Sequence, residues 1–471
     1  MKVLLVFPSQ FIGTSTSTLH RTINEESGDY PPLGMMYIAT ALNNRTHHTA
    51  EILDCRMLRL GSEDVADVVR HRNPDVVGVY FFTEFIRDSK AVTDAVKKIN
   101  PSIITIAGGP HIYNYPLETI EIPSVDYCFY GEAEEGFAEF LDALESGGAE
   151  AAESVEGIIS RNKKNLPPAP RRIKDINTLP FPDRRLVDIH RYRSFITHSN
   201  PTATLMTSRG CAFNCYYCNS IERAHKVRMV SATGVIAELK DAVSLGIRDF
   251  LFFDENFTYD IRRVEEICRL IIDEKLKIRW HCRSRADMKL DEGLLEVMKK
   301  AGCRMIQFGI ETATPRLQKL INKNLNLDSV RRTLAAVKKA GIMTYGNFIL
   351  GLPTETEEEM RATACFPIEN NMDYASFSIF IPFPDSVFYE QGLKSGEIPR
   401  DFWREYVKDP EGHPLAYYWW PAQNKEVVEK NLTLAIRGFY LRPSYLLKAI
   451  FRRQSFRQKL WQARAALRLF F

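Results

Sequence analysis

The sequence predicts an α/β protein: a doubly wound domain, then a partial (β/α) barrel, then a mostly helical C-terminal region. Three observations predict it. Short β-branched and aromatic runs alternate with helix-length segments twice over, within residues 1–147 and again within 201–390. The strands are continuous apolar runs, as in a parallel sheet covered on both faces. A polar, proline-rich stretch separates the two series, and the strand pattern stops after about residue 385.

A chain of 471 residues is too long for one ordinary core and suits two or three domains. With 45% hydrophobic and 26% charged residues, disordered and fibrous classes are excluded. The 62 Lys and Arg nearly balance 59 Asp and Glu, so the net charge of +3 implies no general polyanion partner. Val3 to Phe7 is apolar, but Pro8, Ser9 and Gln10 stop it short of a secretory h-region. No apolar run reaches the roughly 18 residues that span a bilayer. Nine cysteines without a regular framework point to a reducing cytoplasm. Six of them (Cys55, Cys128, Cys268, Cys282, Cys303 and Cys365) lie in apolar or helical patterns and read as small buried hydrophobes.

In the first domain, residues 1–147, strands are expected at Val3–Phe7, Glu51–Cys55, Val76–Phe82, Ile103–Ala107 and Tyr127–Tyr130. Helices are expected at Met35–Asn43, Ser62–Arg72, Ser89–Ile99 and Glu134–Leu144. This alternation is Rossmann-like, and ligands on such sheets bind at the carboxyl ends of the strands. Those ends carry Pro8-Ser9, Thr83-Glu84, Gly108-Gly109-Pro110-His111 and Gly131-Glu132. Residues 148–200 read as a connector, stiffened by Pro180 and Pro182. In the barrel, residues 201–390, strands are expected near Ala203–Thr207, Phe250–Phe253, Ile278–Cys282, Met305–Gly309, Thr344–Leu350 and Ala375–Ile379. Function in such barrels again sits at the carboxyl ends of the strands.

Cys211, Cys215 and Cys218 follow directly on the first barrel strand, spaced CxxxCxxC on a loop opened by Gly210. Three thiolates so spaced can wrap one corner of an iron–sulfur cubane, whereas a 4Fe–4S site normally takes four. The missing fourth cysteine leaves one iron open. A structural zinc would also want four ligands; Asn219 and the tyrosines are poor ones, and no histidine lies nearer than His225.

The spacing, with aromatic Tyr217 just before the last cysteine, resembles the radical S-adenosylmethionine (SAM) superfamily. The resemblance implies an enzyme in which SAM chelates the open iron and is cleaved to methionine and a 5′-deoxyadenosyl radical. It also implies an electron donor such as ferredoxin or flavodoxin. By the same resemblance, Asp254, Glu255 and Asn256 after the second strand would hold the SAM amino group. Arg283, Ser284 and Arg285 after the third, with Glu311 after the fourth, would serve its ribose and carboxylate. Gly346 to Pro353, including Gly351, resembles the fifth-strand motif packed on adenine, with Glu355 beyond it as a helix cap.

The first domain resembles the cobalamin-binding domain that precedes many such barrels. The residues that carry this are Tyr30-Pro31-Pro32-Leu33-Gly34, Ala107-Gly108-Gly109-Pro110-His111, Val125-Asp126 and Tyr130-Gly131-Glu132. The resemblance places Thr83, Gly108, Gly109, Pro110, His111, Gly131 and Glu132 around a cobalamin. The DxHxxG motif of the mutase type is absent: Asp54-Cys55-Arg56-Met57-Leu58-Arg59 has no histidine. An unligated lower face of cobalt would suit methyl transfer, and His111 could instead hydrogen-bond or cap.

Residues 391–471 are expected to be helical and, toward the end, basic. From 431 onward there are nine Lys or Arg and no Asp or Glu. Ile450, Phe456, Leu460, Ala463, Leu467 and Phe470 recur near helical spacing, interleaved with Arg453, Arg457, Arg464 and Arg468. Such a helix lies either in an anionic membrane interface, giving peripheral contact through 440–471, or against protein. No base-reading motif accompanies the charge, so nucleic acid is not an expected partner.

The leading expectation is therefore a cobalamin-dependent radical SAM methyltransferase of the cytoplasm, acting on a small or lipophilic substrate. A radical SAM cyclase or rearrangement enzyme, like the anaerobic ring-forming enzyme of bacteriochlorophyll synthesis, is the enzymatic alternative. A corrinoid- or SAM-binding sensor is the non-enzymatic one, although a binding module has no need of an oxygen-sensitive cluster.

Overall fold

The computed structural model describes residues 1–9, 30–167, 169–192, 194, 196–197, 199–220, 225–412, 420 and 422–451. They form two compact units. One comprises the opening strand, the chain from Pro31 to Arg191 and a return segment beginning at Asp401; the other runs from Tyr192 to Arg400 and resumes at Trp420.

The first unit holds a six-stranded sheet of β1 (Lys2–Phe7), β2 (Thr49–Asp54), β3 (Val76–Tyr80), β4 (Ile104–Gly108), β5 (Tyr127–Phe129) and β6 (Ile158–Ser160). Its order is β2-β1-β3-β4-β5-β6, parallel except for β6, which runs antiparallel to β5. The order reverses at β1 and β3, so this sheet has the switch point of a doubly wound fold. Helices α1 (Leu33–Arg45) and α4 (Gly136–Ser154) cover the face formed by Val3, Leu5 and Phe7, with Met35, Leu42, Phe137 and Phe140 in the shared core. Helices α2 (Ser62–Arg72) and α3 (Ile86–Ile99) pack on one another and bury Val65, Val69, Val92 and Val96.

Three segments depart from the sequence expectation. Strand β6 lies in what reads as connector: Gly157 turns the chain at a φ of 91°, and Ile158, Ile159 and Ser160 are buried as the sheet's last strand. Helix α4 likewise crosses residue 147, with Gly148 non-helical inside it. The return segment carries α11 (Phe402–Lys408), expected as part of a separate tail. It is tied into the first unit by the Tyr406 hydroxyl donating to the Glu84 carbonyl (3.2 Å), Arg87 Nε donating to the Pro410 carbonyl (2.7 Å) and the Arg404–Glu118 ion pair (3.1 Å).

The second unit is a parallel sheet in simple sequential order, opened rather than closed. Its strands are β7 (Thr202–Leu205), β10 (Asp249–Phe252), β11 (Arg279–Arg285), β12 (Cys303–Glu311), β13 (Met343–Leu350) and β14 (Tyr374–Ile379). A short antiparallel ribbon, β8 (Ser208–Arg209) with β9 (Arg228–Met229), follows β7. Helices α5 (Ala232–Ser244), α6 (Ile261–Asp273), α7 (Glu292–Lys300), α8 (Leu327–Lys339) and α9 (Glu357–Glu369) supply the crossovers. Side-chain caps start all five: Ser231, Asp260, Asp291, Asn326 and Thr356 accept from backbone N–H groups of the first turn. Helix α10 (Val387–Ser395) follows β14, and α12 (Lys425–Tyr440) packs along that edge strand, where the Tyr440 hydroxyl donates to the Ala375 carbonyl (2.7 Å) and accepts from its N–H (3.3 Å).

Of the six cysteines expected to be buried, five are, while Cys365 on α9 is exposed. No helix among the described residues is long and apolar enough to cross a membrane. The basic stripe expected from Ile450 to Phe470 lies, beyond α13 (Pro443–Phe451), outside the described residues.

Candidate cofactor site

The three-cysteine loop hangs from the β8–β9 ribbon. Gly210 sits at a φ of 106°, and a Cβ there would meet the Lys226 carbonyl oxygen at 2.4 Å, so only glycine lets the two strands close beneath the loop. Asp254, fully buried at the end of β10, accepts from Thr207 N–H (2.7 Å), the Thr207 hydroxyl (2.7 Å) and the Ser208 hydroxyl (2.6 Å). Burial pushes this carboxyl up, against the three hydrogen bonds that favour its charged form. Arg263 completes the clamp by donating to the carbonyls of Val230 and Thr207.

The far side of the loop is held at its backbone, once by a backbone carbonyl and once by the Asn322 side chain. Tyr216 N–H donates to the Ile321 carbonyl (3.0 Å), and the Asn322 amide to the Asn214 carbonyl (2.8 Å). Cys215 is buried, whereas Cys211 and Cys218 are partly exposed, and none of the three is in a disulfide. Burial pushes the Cys218 thiol up to about 12 and raises Cys211 as well, with Glu255 and the neighbouring thiols adding to both. Free of metal these thiols hold their protons, so loading a cation there releases them.

Two buried cations underlie the loop. Lys323 lies 2.7 Å from Glu311 and 3.1 Å from the Tyr217 hydroxyl, which itself donates to Glu311 at 3.0 Å. Glu311 has a φ of 69° beside a register shift in the β12–β13 pairing. A Cβ on Gly309 would reach Glu311 Oε1 at 2.5 Å and Lys323 Nζ at 2.7 Å, so the pair fills the space that Gly309 leaves. Arg285 is the second cation. It makes a bidentate pair with Asp287 (2.9 and 2.8 Å), donates to the Lys323 carbonyl (2.9 Å), lies 3.9 Å over the Phe213 ring and points Nη1 at Cys215 Sγ (3.8 Å).

The structure thus brings the sequence-predicted barrel residues together but divides their work. Asp254 faces the loop's root. Asn256 accepts from Arg285 N–H and the Thr258 hydroxyl, both at 3.2 Å, and Ser284 bonds Thr258 at 2.5 Å, so both tie strand ends to each other. Exposed Glu255 accepts from the Ser220 hydroxyl beside the cysteines (3.0 Å). Arg283 lies over the Phe253 ring at 4.6 Å. Lys323 and the Tyr217 hydroxyl are absent from the sequence reading; Asn322-Lys323-Asn324 looks like a surface turn, and only the fold shows it turned inward.

Gly351 has a φ of 80°, and with Leu352 it donates N–H to Glu355 Oε2 (2.6 and 3.0 Å). Glu355 therefore does not cap α9: Thr356 does, in a capping box with Glu359. The other oxygen of Glu355 is buried without a hydrogen-bond partner, and burial pushes the carboxyl up to about 7 from 4.5. The folded chain therefore keeps a proton that the unfolded chain releases above about pH 4.5. This contribution to stability is complete below that pH and is lost as pH rises toward 7. Glu355→Gln keeps an acceptor for the two N–H groups, and its unfolding free energy should fall less than wild type between pH 4.5 and 7 in urea titrations.

In the first unit, Gly109 adopts a φ of 100°, with the Phe81 carbonyl 2.9 Å from where its Cβ would be; Gly108 has open space there. Pro110 then leads into His111. The His111 ring is fully buried: Nδ1 bonds the Thr83 hydroxyl (2.9 Å), Nε2 has no partner, and burial lowers its pKa to about 3. It is a neutral ring stacked on Phe81, turned into the protein. Gly131 and Glu132 serve the connector. A Cβ on Gly131 would collide with Arg171 backbone at 2.4 Å, and Glu132 accepts from Ile173 N–H at 2.6 Å. His47, His48 and Glu145 bring ligand atoms within 4.8 Å of one another elsewhere in this unit, but they are already paired, His47 with Glu145 and His48 with Asp142.

These features suit an iron–sulfur cluster in the second unit: three free thiols on a pinned loop, with cations against the negative charge of bound thiolates. In the first unit, the bare backbone at Gly108 and the turn at Gly109 suit a large ligand over the strand ends, with no histidine presented by the β2 end or by His111.

Residues 205–366 match the radical SAM superfamily and residues 22–141 the B12 binding domain. The chain is 32% identical to an uncharacterised methyltransferase of Pyrococcus horikoshii, over 97% of this chain and 96% of that protein. It is 27% identical to the anaerobic magnesium-protoporphyrin IX monomethyl ester cyclase of Rubrivivax gelatinosus, over 84% of this chain and 70% of that one. Its fold matches the radical S-adenosylmethionine methyltransferase TsrM of Kitasatospora setae with a TM-score of 0.66, covering 83% and 78% of the two chains at 19% identity. With the cysteine loop, the barrel and the preceding Rossmann-like unit all in place, the chain belongs to the radical SAM superfamily, in the branch that carries a B12-binding domain ahead of its barrel.

Proposed function

We propose that this enzyme transfers a methyl group to an unactivated centre of a small or lipophilic substrate. The observation that carries the reading is the loop of Cys211, Cys215 and Cys218: three free thiols held from both sides, with no fourth cysteine on the loop. When bound, a 4Fe–4S cluster would supply the electron that splits SAM into methionine and a 5′-deoxyadenosyl radical, and cobalamin would carry the methyl group.

The chain's own residues divide into holders and positioners. Cys211, Cys215 and Cys218 would ligate iron. Glu255, exposed beside them, would receive an ammonium such as that of SAM, and Arg283 a carboxylate or ribose. The backbone turn at Gly351, held by Glu355, would pack on a purine as the family resemblance implies. Asp254, Asn256 and Ser284 keep these groups in register through their bonds to Thr207, Ser208, Thr258 and the Arg285 backbone. In the first unit, Gly108, Gly109 and Pro110 would let a corrin approach the backbone, while Thr83 and His111 brace that loop from within.

The likeness to a methyltransferase over nearly the whole chain supports methyl transfer over ring formation, which the cyclase likeness keeps as the second reading. A ferredoxin or flavodoxin as electron donor, a cytoplasmic location and membrane contact through 440–471 belong to the same proposal. Anaerobic protein reconstituted with iron, sulfide and hydroxocobalamin is expected to convert SAM into both 5′-deoxyadenosine and S-adenosylhomocysteine. Deoxyadenosine alone would favour ring formation, and intact SAM in the presence of reductant would overturn both readings.

A further inference from the structure

We infer that Arg285 is a positioning residue that sets the reduction potential of the metal centre by hydrogen-bonding to Cys215, rather than a contact for SAM. The inference rests on the reading of Cys211, Cys215 and Cys218 as cluster ligands.

The geometry of Arg285 leaves it little freedom. Asp287 takes Nε and Nη2, the Lys323 carbonyl takes Nη2 again, and the guanidinium plane lies against Phe213, itself within the cysteine loop. The donor left over, Nη1, faces Cys215 Sγ at 3.8 Å. The residue is 9% exposed, so this contact is shielded from water, where an N–H to sulfur bond and a formal charge count for more. A guanidinium keeps its proton in proteins, and Asp287 stands as its counter-charge at 2.8 Å, so the side chain is a cation. Cys215 is also the most buried of the three cysteines, so the field of a neighbouring cation there is least screened by solvent.

Hydrogen bonds to the sulfurs and local charge are the protein's levers on cluster potential. A donor aimed at a ligand thiolate stabilises the state with more negative charge, which is the reduced one. Arg285 therefore raises the potential, and Asp287, the counter-charge at its back, lowers it. The two members of one ion pair should act with opposite sign, which loss of structure would not produce.

The test is a reductive titration of the full, anaerobically reconstituted chain, followed by electron paramagnetic resonance in the absence of SAM. Arg285→Met is expected to move the midpoint to more negative potential, with Arg285→Lys between it and wild type. Asp287→Asn is expected to move it to more positive potential. Equal midpoints for wild type and Arg285→Met, with weakened SAM binding in the variant, would overturn the inference and make Arg285 a SAM contact. Should Arg285→Met fail to take up iron, Asp287→Asn decides, and an unchanged or more negative midpoint there overturns it. A wild-type chain that assembles no cluster would instead overturn the reading of the cysteines.

Discussion

Lys323→Met is expected to cost the second unit about 3–5 kcal/mol, because it leaves the Glu311 carboxylate buried without its cation. Lys323 and Glu311 are only 7% exposed each, and among the described residues the other group bonded to Glu311 Oε1 is the Tyr217 hydroxyl, at 3.0 Å. A chain so altered has two escapes: Glu311 takes up a proton, or the Tyr217 segment moves to admit water. Either loosens the stretch between Cys215 and Cys218, so iron retention should fall along with stability. Pairing Lys323→Met with Glu311→Gln removes the stranded charge and should recover a large part of the loss. The measurement is a double-variant cycle of unfolding free energies in urea, with iron per chain assayed alongside. A single-variant cost below about 1 kcal/mol would place the pair among exposed ion pairs and remove its role under the loop.

Gly210→Ala should nearly abolish iron uptake while leaving both large sheets intact. The new methyl would have to share space with the Lys226 carbonyl, which is backbone and has no rotamer by which to yield. Its φ of 106° adds strain that side-chain-bearing residues avoid. A local cost of about 1–3 kcal/mol corresponds to roughly a five- to 150-fold shift against the closed ribbon. Circular dichroism should be near wild type while iron and sulfide per chain drop. Gly438→Ala is the control: it lies in α12 with nothing within 4 Å of its Cβ, so it should bind iron normally. Equal loading in the two variants would show that the ribbon does not govern the loop.

Much of the fold was legible because parallel strands covered on both faces must be apolar along their whole length. The Val3 to Phe7 run of β1 and Val76–Tyr80 announce themselves in that way. The ribbon beneath the cysteines does not: two residues per strand are too few for any period. Strand β6 is hidden for a related reason, since three residues among polar neighbours carry no signal until β5 is there to pair with. At the site, the cysteines and the strand-end positions were readable from spacing. The direction of each side chain was not. Asp254 sits where a motif would put it, yet its oxygens are spent on Thr207 and Ser208. Lys323 is a lysine between two asparagines, and its burial depends on Tyr217, distant in sequence. The resemblance of Tyr130-Gly131-Glu132 to a cofactor loop was likewise a matter of position, and only the fold shows the glycine's backbone lying against Arg171.

One small contact at the last strand bears on how the protein behaves in a crowded solution. An open sheet ends in a row of backbone groups that could pair with another chain and seed sheet-to-sheet association. At Ala375 both such groups are taken by one phenol, that of Tyr440, so a single side chain does there what another strand would otherwise do. Opening the sheet leaves a raw border, and the helix returning from Lys425 hems it.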